Sequence, residues 1–131
     1  MPISRRSFLA ATAAVAAGSV APSFAAEHAD YTPAAFDAAL KSGKPILVWV
    51  HASWCPTCKA QAPILARIES EPRYGDLMVF MVDFDSQKDA LKRFGVRMQS
   101  TLIAFKAGKE TGRSVAETDP KSLAALVARA G

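Results

Sequence analysis

Cys55 and Cys58 are the only two cysteines in the 131-residue chain. They stand in the string Ser53-Trp54-Cys55-Pro56-Thr57-Cys58-Lys59. The apolar run Ile46 to Val50 precedes this string, and apolar residues at helical spacing follow it. A Cys-x-x-Cys pair at such a strand-to-helix junction puts both sulfurs on one helical turn, close enough to bond. The first sulfur then meets the open helix N-terminus, where unpaired N–H groups and the helix dipole favour a thiolate. The second is more buried and can attack a mixed disulfide. The spacing predicts disulfide exchange, with Cys55 attacking and Cys58 resolving. Such a short loop would stabilise little by restricting the unfolded chain, so the pair reads as reactive rather than structural.

Other uses of two thiols compete with this reading. A four-cysteine zinc site is excluded within one chain. His28 and His51 could complete a two-Cys, two-His site only at poor spacing, and His28 falls in residues 26–31, expected to be a flexible lead. An inert buried pair is a further alternative. His51 should lie near the cysteines if the strand register holds, either tuning them or packing at a strand end. Lys59 is either a solvated helix residue or a modest support for a nearby thiolate. No cofactor is expected.

The elements that position the pair follow from pattern. Thr32-Pro33 supplies an N-cap and a first-turn proline, and Ala35, Phe36, Ala39 and Leu40 recur at helical spacing. Ser42-Gly43 ends that helix. Ile46 to Val50 reads as a buried central strand. The helix from Cys55 carries Ala62, Leu65, Ala66 and Ile68, and Pro63 should kink it. Leu77 to Phe84 is a second strand. Ser86 caps a helix from about Gln87 to Phe94, and Gly95 follows. Thr101 to Phe105 is a third strand, and Glu110 to Ala116 an edge strand antiparallel to it. Asp119-Pro120 opens a last helix lined by Leu123, Leu126 and Val127. The order predicts one α/β domain, a mixed sheet of about four strands with helices on both faces.

The first 25 residues read as an export signal. Arg5 and Arg6 give a basic start, an Ala-rich stretch runs from Leu9 to about Val20, and Ser23-Phe24-Ala25 puts small residues before a cut after Ala25. Arg5-Arg6-Ser7-Phe8-Leu9 resembles a twin-arginine signal. The expected division is a signal peptide over 1–25 and the working domain over 26–131. No cysteine lies near the cut, so the mature protein is expected in the periplasm and not membrane-anchored. Without Arg5 and Arg6 the chain holds 14 basic and 12 acidic residues, a net charge of +2. That balance does not support nucleic-acid binding, which needs a concentrated basic patch.

Pro45-Ile46-Leu47-Val48, Ala52-Ser53-Trp54-Cys55, Cys58-Lys59 and Pro63 together resemble the thioredoxin family. Asp83, Asp85, Phe94-Gly95-Val96-Arg97, Thr101-Leu102 and Phe105-Lys106-Ala107-Gly108 continue the similarity in register, over roughly residues 35–129. The resemblance implies a thioredoxin-like fold and a redox-active disulfide. It also implies that Trp54 shields the disulfide and offers a partner an apolar surface. Pro56 and Thr57 replace the Gly-Pro of cytoplasmic thioredoxin. Trp49 stands where the family usually has a buried acid, and Met81 where it usually has a lysine. Ser100 stands where a cis-proline normally precedes the Thr101-Leu102 pair. A non-proline cis bond costs about 2.5–4 kcal/mol, so a trans Gln99–Ser100 bond and a differently shaped loop are expected. Proline at 100 would be expected to restore the usual loop.

These readings lead to a periplasmic thiol-disulfide oxidoreductase that exchanges disulfides with the thiols or disulfides of protein substrates. The absence of an inserted helical module tilts the direction toward reductase. A periplasmic reductase needs electrons from a membrane electron-transfer partner. The alternative is a thioredoxin-like binding protein that holds a soft metal or guards a partner's thiols, for which Ser100 and the missing acid are the discriminating features.

Overall fold

The computed structural model describes residues 13–18 and 26–131. Apart from 13–18, the proposed export segment lies outside the described residues. Strand β1 is Glu27–Asp30, helix α1 Pro33–Ser42, β2 Ile46–His51, α2 Pro56–Glu69, β3 Met78–Asp83, α3 Lys88–Phe94, β4 Thr101–Lys106, β5 Lys109–Val115 and α4 Pro120–Ala128. A short 3-10 turn, Pro72–Tyr74, joins α2 to β3. The sheet order is β1-β3-β2-β4-β5. β3 runs parallel to β1 and β2, whereas β4 is antiparallel to both β2 and β5.

The sheet has five strands, one more than expected. The addition is β1, in the segment read as a flexible lead. Its sequence, Glu27-His28-Ala29-Asp30, has no apolar run, because an edge strand with little buried surface needs none. Backbone pairing holds it: the Glu27 N–H donates to the Leu77 carbonyl and the Tyr31 N–H to the Met81 carbonyl, each at 2.9 Å.

Local signals elsewhere act as the residue types require. Thr32 Oγ1 accepts the Ala35 N–H at 3.2 Å, and Gly43 closes α1 with φ 72°. Asp119 accepts the Ser122 N–H at 2.9 Å. At α3 the N-cap position is Gln87 rather than Ser86. The Gln87 side chain reaches back instead, accepting the Asp83 N–H and donating to the Tyr31 carbonyl. In α2 the buried stripe is Cys58, Gln61, Leu65 and Ile68, whereas Ala66 is exposed.

Strand β2 sits third of five and alternates between two cores. Leu47 and Trp49 face one core with Cys58, Leu65 and Ile68 of α2 and Leu123, Leu126 and Val127 of α4. Ile46, Val48 and Val50 face the other with Phe36 of α1 and Leu91 and Phe94 of α3. Both faces are covered, so the run of apolar residues is continuous. The strand's C-terminal end, fixed by neighbours on both sides, delivers the chain to Cys55.

One polar contact ties β1 to the far end of α2. His28 Nε2 lies 2.5 Å from Glu69 Oε2, and Glu69 is buried. The hydrogen bond to Glu69 raises the His28 pKa above 6.5, burial opposes this, and the carboxylate's charge adds to the rise. A raised histidine pKa stabilises fully below the unfolded value, and the contribution fades as pH rises through the folded value. Urea midpoints of wild type and His28→Gln, compared from about pH 5.5 to about pH 8.5, should differ most at the acidic end and converge as pH rises. A difference that grows with pH would contradict this assignment.

Candidate active site

Helix α2 begins with a sulfur in the place usually taken by a hydroxyl or carboxylate. Cys55 is the N-cap residue, in an extended conformation, and its Sγ accepts the Cys58 N–H at 3.1 Å. Pro56, at the first helical position, has no N–H to satisfy. Both cysteines are free thiols, with Cys55 fully buried and Cys58 nearly so. Burial by itself pushes the Cys55 thiol up. Hydrogen bonds from the Cys58 side chain, the Ser100 hydroxyl and the Cys58 and Thr57 amides outweigh it, and the net shift is downward. At Cys58 burial and the hydrogen bond with Cys55 push upward, the Ser100 hydroxyl only partly offsets them, and the net shift is upward.

Ser100 lies between the sulfurs. Its Oγ is 3.1 Å from Cys55 Sγ and 3.1 Å from Cys58 Sγ, with the residue almost wholly buried. A hydroxyl has one proton to give and lone pairs to receive another. It can therefore donate to a Cys55 thiolate while accepting from the Cys58 thiol.

The loop bearing Ser100 differs from a proline loop. The Gln99–Ser100 peptide is trans, and Ser100 has φ 64°, in the left-handed region that L-residues seldom enter. Its N–H donates to the Val50 carbonyl at 2.7 Å, and its carbonyl accepts the Ala116 N–H at 3.1 Å. Proline has neither the N–H nor access to a positive φ. Substituting proline here would thus break the observed loop.

Trp49, at the position expected for a buried acid, points its Nε1–H at Gln61 Oε1, 3.0 Å away. The Gln61 amide group donates to the Ser100 carbonyl at 3.2 Å and the Glu117 carbonyl at 2.9 Å. Sequence reading passed over Gln61. Its signal was present: a glutamine on the stripe Cys58, Gln61, Leu65, Ile68, which otherwise buries sulfur and hydrocarbon.

The remaining candidates surround the pair at different distances. Thr101 is buried, and its hydroxyl donates to the Met98 carbonyl at 2.7 Å, closing the turn before β4. Trp54 is 53% exposed, and its indole N–H donates to Asp85 at 2.8 Å. Met98, also half exposed, lies on the Ser100 loop. Pro56 and Lys59 are exposed, and Thr57 is half-buried. His51 ends β2 and packs against Trp49 with ring centres 5.8 Å apart. Across the strand pair, the Asp83 carboxyl is held below its usual pKa chiefly by the Asp85 N–H, with His51 a minor contributor. His51 makes no hydrogen bond to either sulfur among the described residues. Among the described residues, no group of three or more His, Cys, Asp or Glu side chains is placed to hold a metal.

Comparison with known proteins places this geometry. The thioredoxin family model matches residues 27–129, and the twin-arginine translocation signal model matches residues 2–22. A thioredoxin of Chlamydia muridarum is 37% identical over 84 residues, covering 64% of this chain and 80% of that protein. A thioredoxin of Mycobacterium bovis is 42% identical over 76 residues, covering 58% of this chain and 65% of that protein. The crystal structure of Trxlp from Edwardsiella tarda superposes with a TM-score of 0.74 at 46% identity, covering 79% of this chain and 98% of that one. The chain belongs to the thioredoxin family, as a thiol-disulfide oxidoreductase exported to the periplasm with a twin-arginine signal.

Proposed function

We propose that this protein exchanges disulfides with periplasmic protein substrates, with the reductase direction slightly favoured. The supporting observation is the opposite bias of the two thiols: Cys55 caps α2 and shifts down, whereas Cys58 shifts up. The Cys55 thiolate attacks a substrate disulfide, forming one S–S bond and releasing one substrate thiolate. Cys58 then gives its proton, directly or through water, to the released substrate thiolate and attacks Cys55 Sγ. The enzyme disulfide forms, and the second substrate sulfur leaves as a thiolate. Two electrons pass to the substrate, and a membrane electron-transfer partner returns them to the cysteines.

Trp54 and Met98 carry exposed apolar surface on the two loops that hold Cys55 and Ser100. They suit contact with an extended polypeptide beside a buried sulfur. Among the described residues, no helix is long and apolar enough to cross a membrane. Cleavage after Ala25 would release a domain that starts one residue before β1, free in the periplasm.

Three results test this reading. In the reduced protein at mildly acidic pH, a short iodoacetamide pulse should label Cys55 well before Cys58. Cys58 is no less exposed than Cys55 (4% against 0%), so this order would report thiolate content rather than access. Faster labelling of Cys58 would reverse the roles. In the native host, Cys58→Ser should accumulate mixed disulfides with exported proteins through Cys55, and Cys55→Ser should not. Equal trapping by both variants would remove the attacker–resolver scheme. The mass of the exported protein should correspond to a chain beginning at Ala26. A membrane-retained chain that keeps residues 1–25 would refute the cleavage and the unanchored state.

A further inference from the structure

We propose that Gln61 is the positioning residue of the thiol site: it locks the Ser100 backbone so that the Ser100 hydroxyl serves both sulfurs. The inference rests on the reading of Cys55 as the attacking thiol.

The geometry is one connected path. Trp49 Nε1–H can only donate, so it fixes the Gln61 amide with its oxygen toward the indole. The two N–H bonds of that amide must then face the opposite way. Both find carbonyls there, those of Ser100 and Glu117. Gln61 is fully buried, and its amide is satisfied on every side. The Ser100 carbonyl takes a second hydrogen bond from the Ala116 N–H, and the Ser100 N–H is spent on Val50. The residue is thus pinned at its N–H by β2, and at its carbonyl by α2 and the segment after β5. Such over-determination is what a side-chain-bearing residue at φ 64° needs in order to persist.

Ser100 Oγ is carried by that backbone toward the cysteines. Its partners are the two sulfurs. If the carbonyl of Ser100 were released from Gln61, the left-handed turn could relax and carry the hydroxyl away from the cysteines. The groups acting on the sulfurs are the Thr57 and Cys58 amides of α2, a backbone hydrogen bond at Ala52, Ser100, and each cysteine on the other. The only titratable members are the cysteines themselves. A change in thiol reactivity on altering Gln61 would therefore have to travel through Ser100 or through the position of α2.

Gln61 makes no hydrogen bond to either sulfur. It also supplies a polar anchor for Trp49, whose indole needs an acceptor inside the core. The pair Trp49 and Gln61 occupies the place where a buried acid was expected, and it turns that place from proton exchange to loop fixation. The polar group beside the Cys58 thiol is instead the Ser100 hydroxyl, 3.1 Å away, which can relay the thiol's proton but not keep it.

The test is the pH profile of Cys55 alkylation in reduced wild type, Gln61→Met, Ser100→Ala and the double variant. Near-UV circular dichroism checks that each is folded. In Ser100→Ala the rate at mildly acidic pH should fall roughly threefold to tenfold, and the midpoint should move to higher pH, because a donor to a charged group is lost. Gln61→Met should do the same. The double variant should lose no more than Ser100→Ala alone. Trp49→Phe removes the anchor of the Gln61 oxygen with less disturbance, and it should give a smaller shift in the same direction. A folded Gln61→Met with the wild-type rate and midpoint overturns the proposal. So does a double variant whose losses multiply, which would place the effect of Gln61 elsewhere. If Gln61→Met does not fold, Trp49→Phe decides, and an unchanged profile there overturns it. Wild type that labels first at Cys58 would instead sink the attacker–resolver reading, an outcome distinct from all of these.

Discussion

The hydrogen bond from the Cys58 amide to Cys55 Sγ is the contact on which the site depends. A helix begins with donors that have no partner within the helix. Here one of them is answered by sulfur, so forming α2 and favouring a thiolate are the same event. The sheet makes this possible. β2 has paired neighbours on both sides and a core on both faces, so its end cannot drift. The turn from His51 to Cys55 therefore places the sulfur with little freedom.

Ser100 completes this arrangement from the start of the neighbouring strand. It precedes β4, the antiparallel neighbour of β2, and its N–H binds the Val50 carbonyl. The first turn of α2 and the start of β4 are thus joined through one strand end. A hydroxyl at this point behaves differently from a pyrrolidine ring. It brings a proton that can be shared between two sulfurs, and it demands a backbone held in an unusual conformation. Gln61, Ala116 and Val50 meet that demand. Polar groups this deep are acceptable because each has its partners.

Much of this was legible in the sequence. Short-range chemistry read well: Thr32 and Asp119 as caps, Gly43 as a helix stop, and the Cys55–Cys58 spacing. The buried strands read well because both faces of β2 are covered and its residues are apolar without interruption. β1 was missed because an exposed edge strand is specified by its partner's backbone, and Glu27-His28-Ala29-Asp30 carries no trace of that partner. Ser86 was chosen over Gln87 because serine caps locally, whereas the glutamine's contacts lie 4 and 56 positions away. Gln61 was missed for a similar reason, since its partners on β2, just before β4 and after β5 come together only in the folded chain. The position of Ser100 was noticed as a departure, but its left-handed φ could not be read from the residue type.

The contact between His28 and Glu69 has a geometric consequence for attachment. Helix α2 runs 14 residues from Pro56 to Glu69, about 20 Å at 1.5 Å per residue. The sulfurs mark one end, and the strand that opens the described domain is fastened to the other. A dye, a solid support or a fused protein joined ahead of Glu27 would therefore stand a helix length away from the thiols. Such a tether would leave the approach over Trp54 and Met98 open, and it would orient the molecule with its reactive end facing outward.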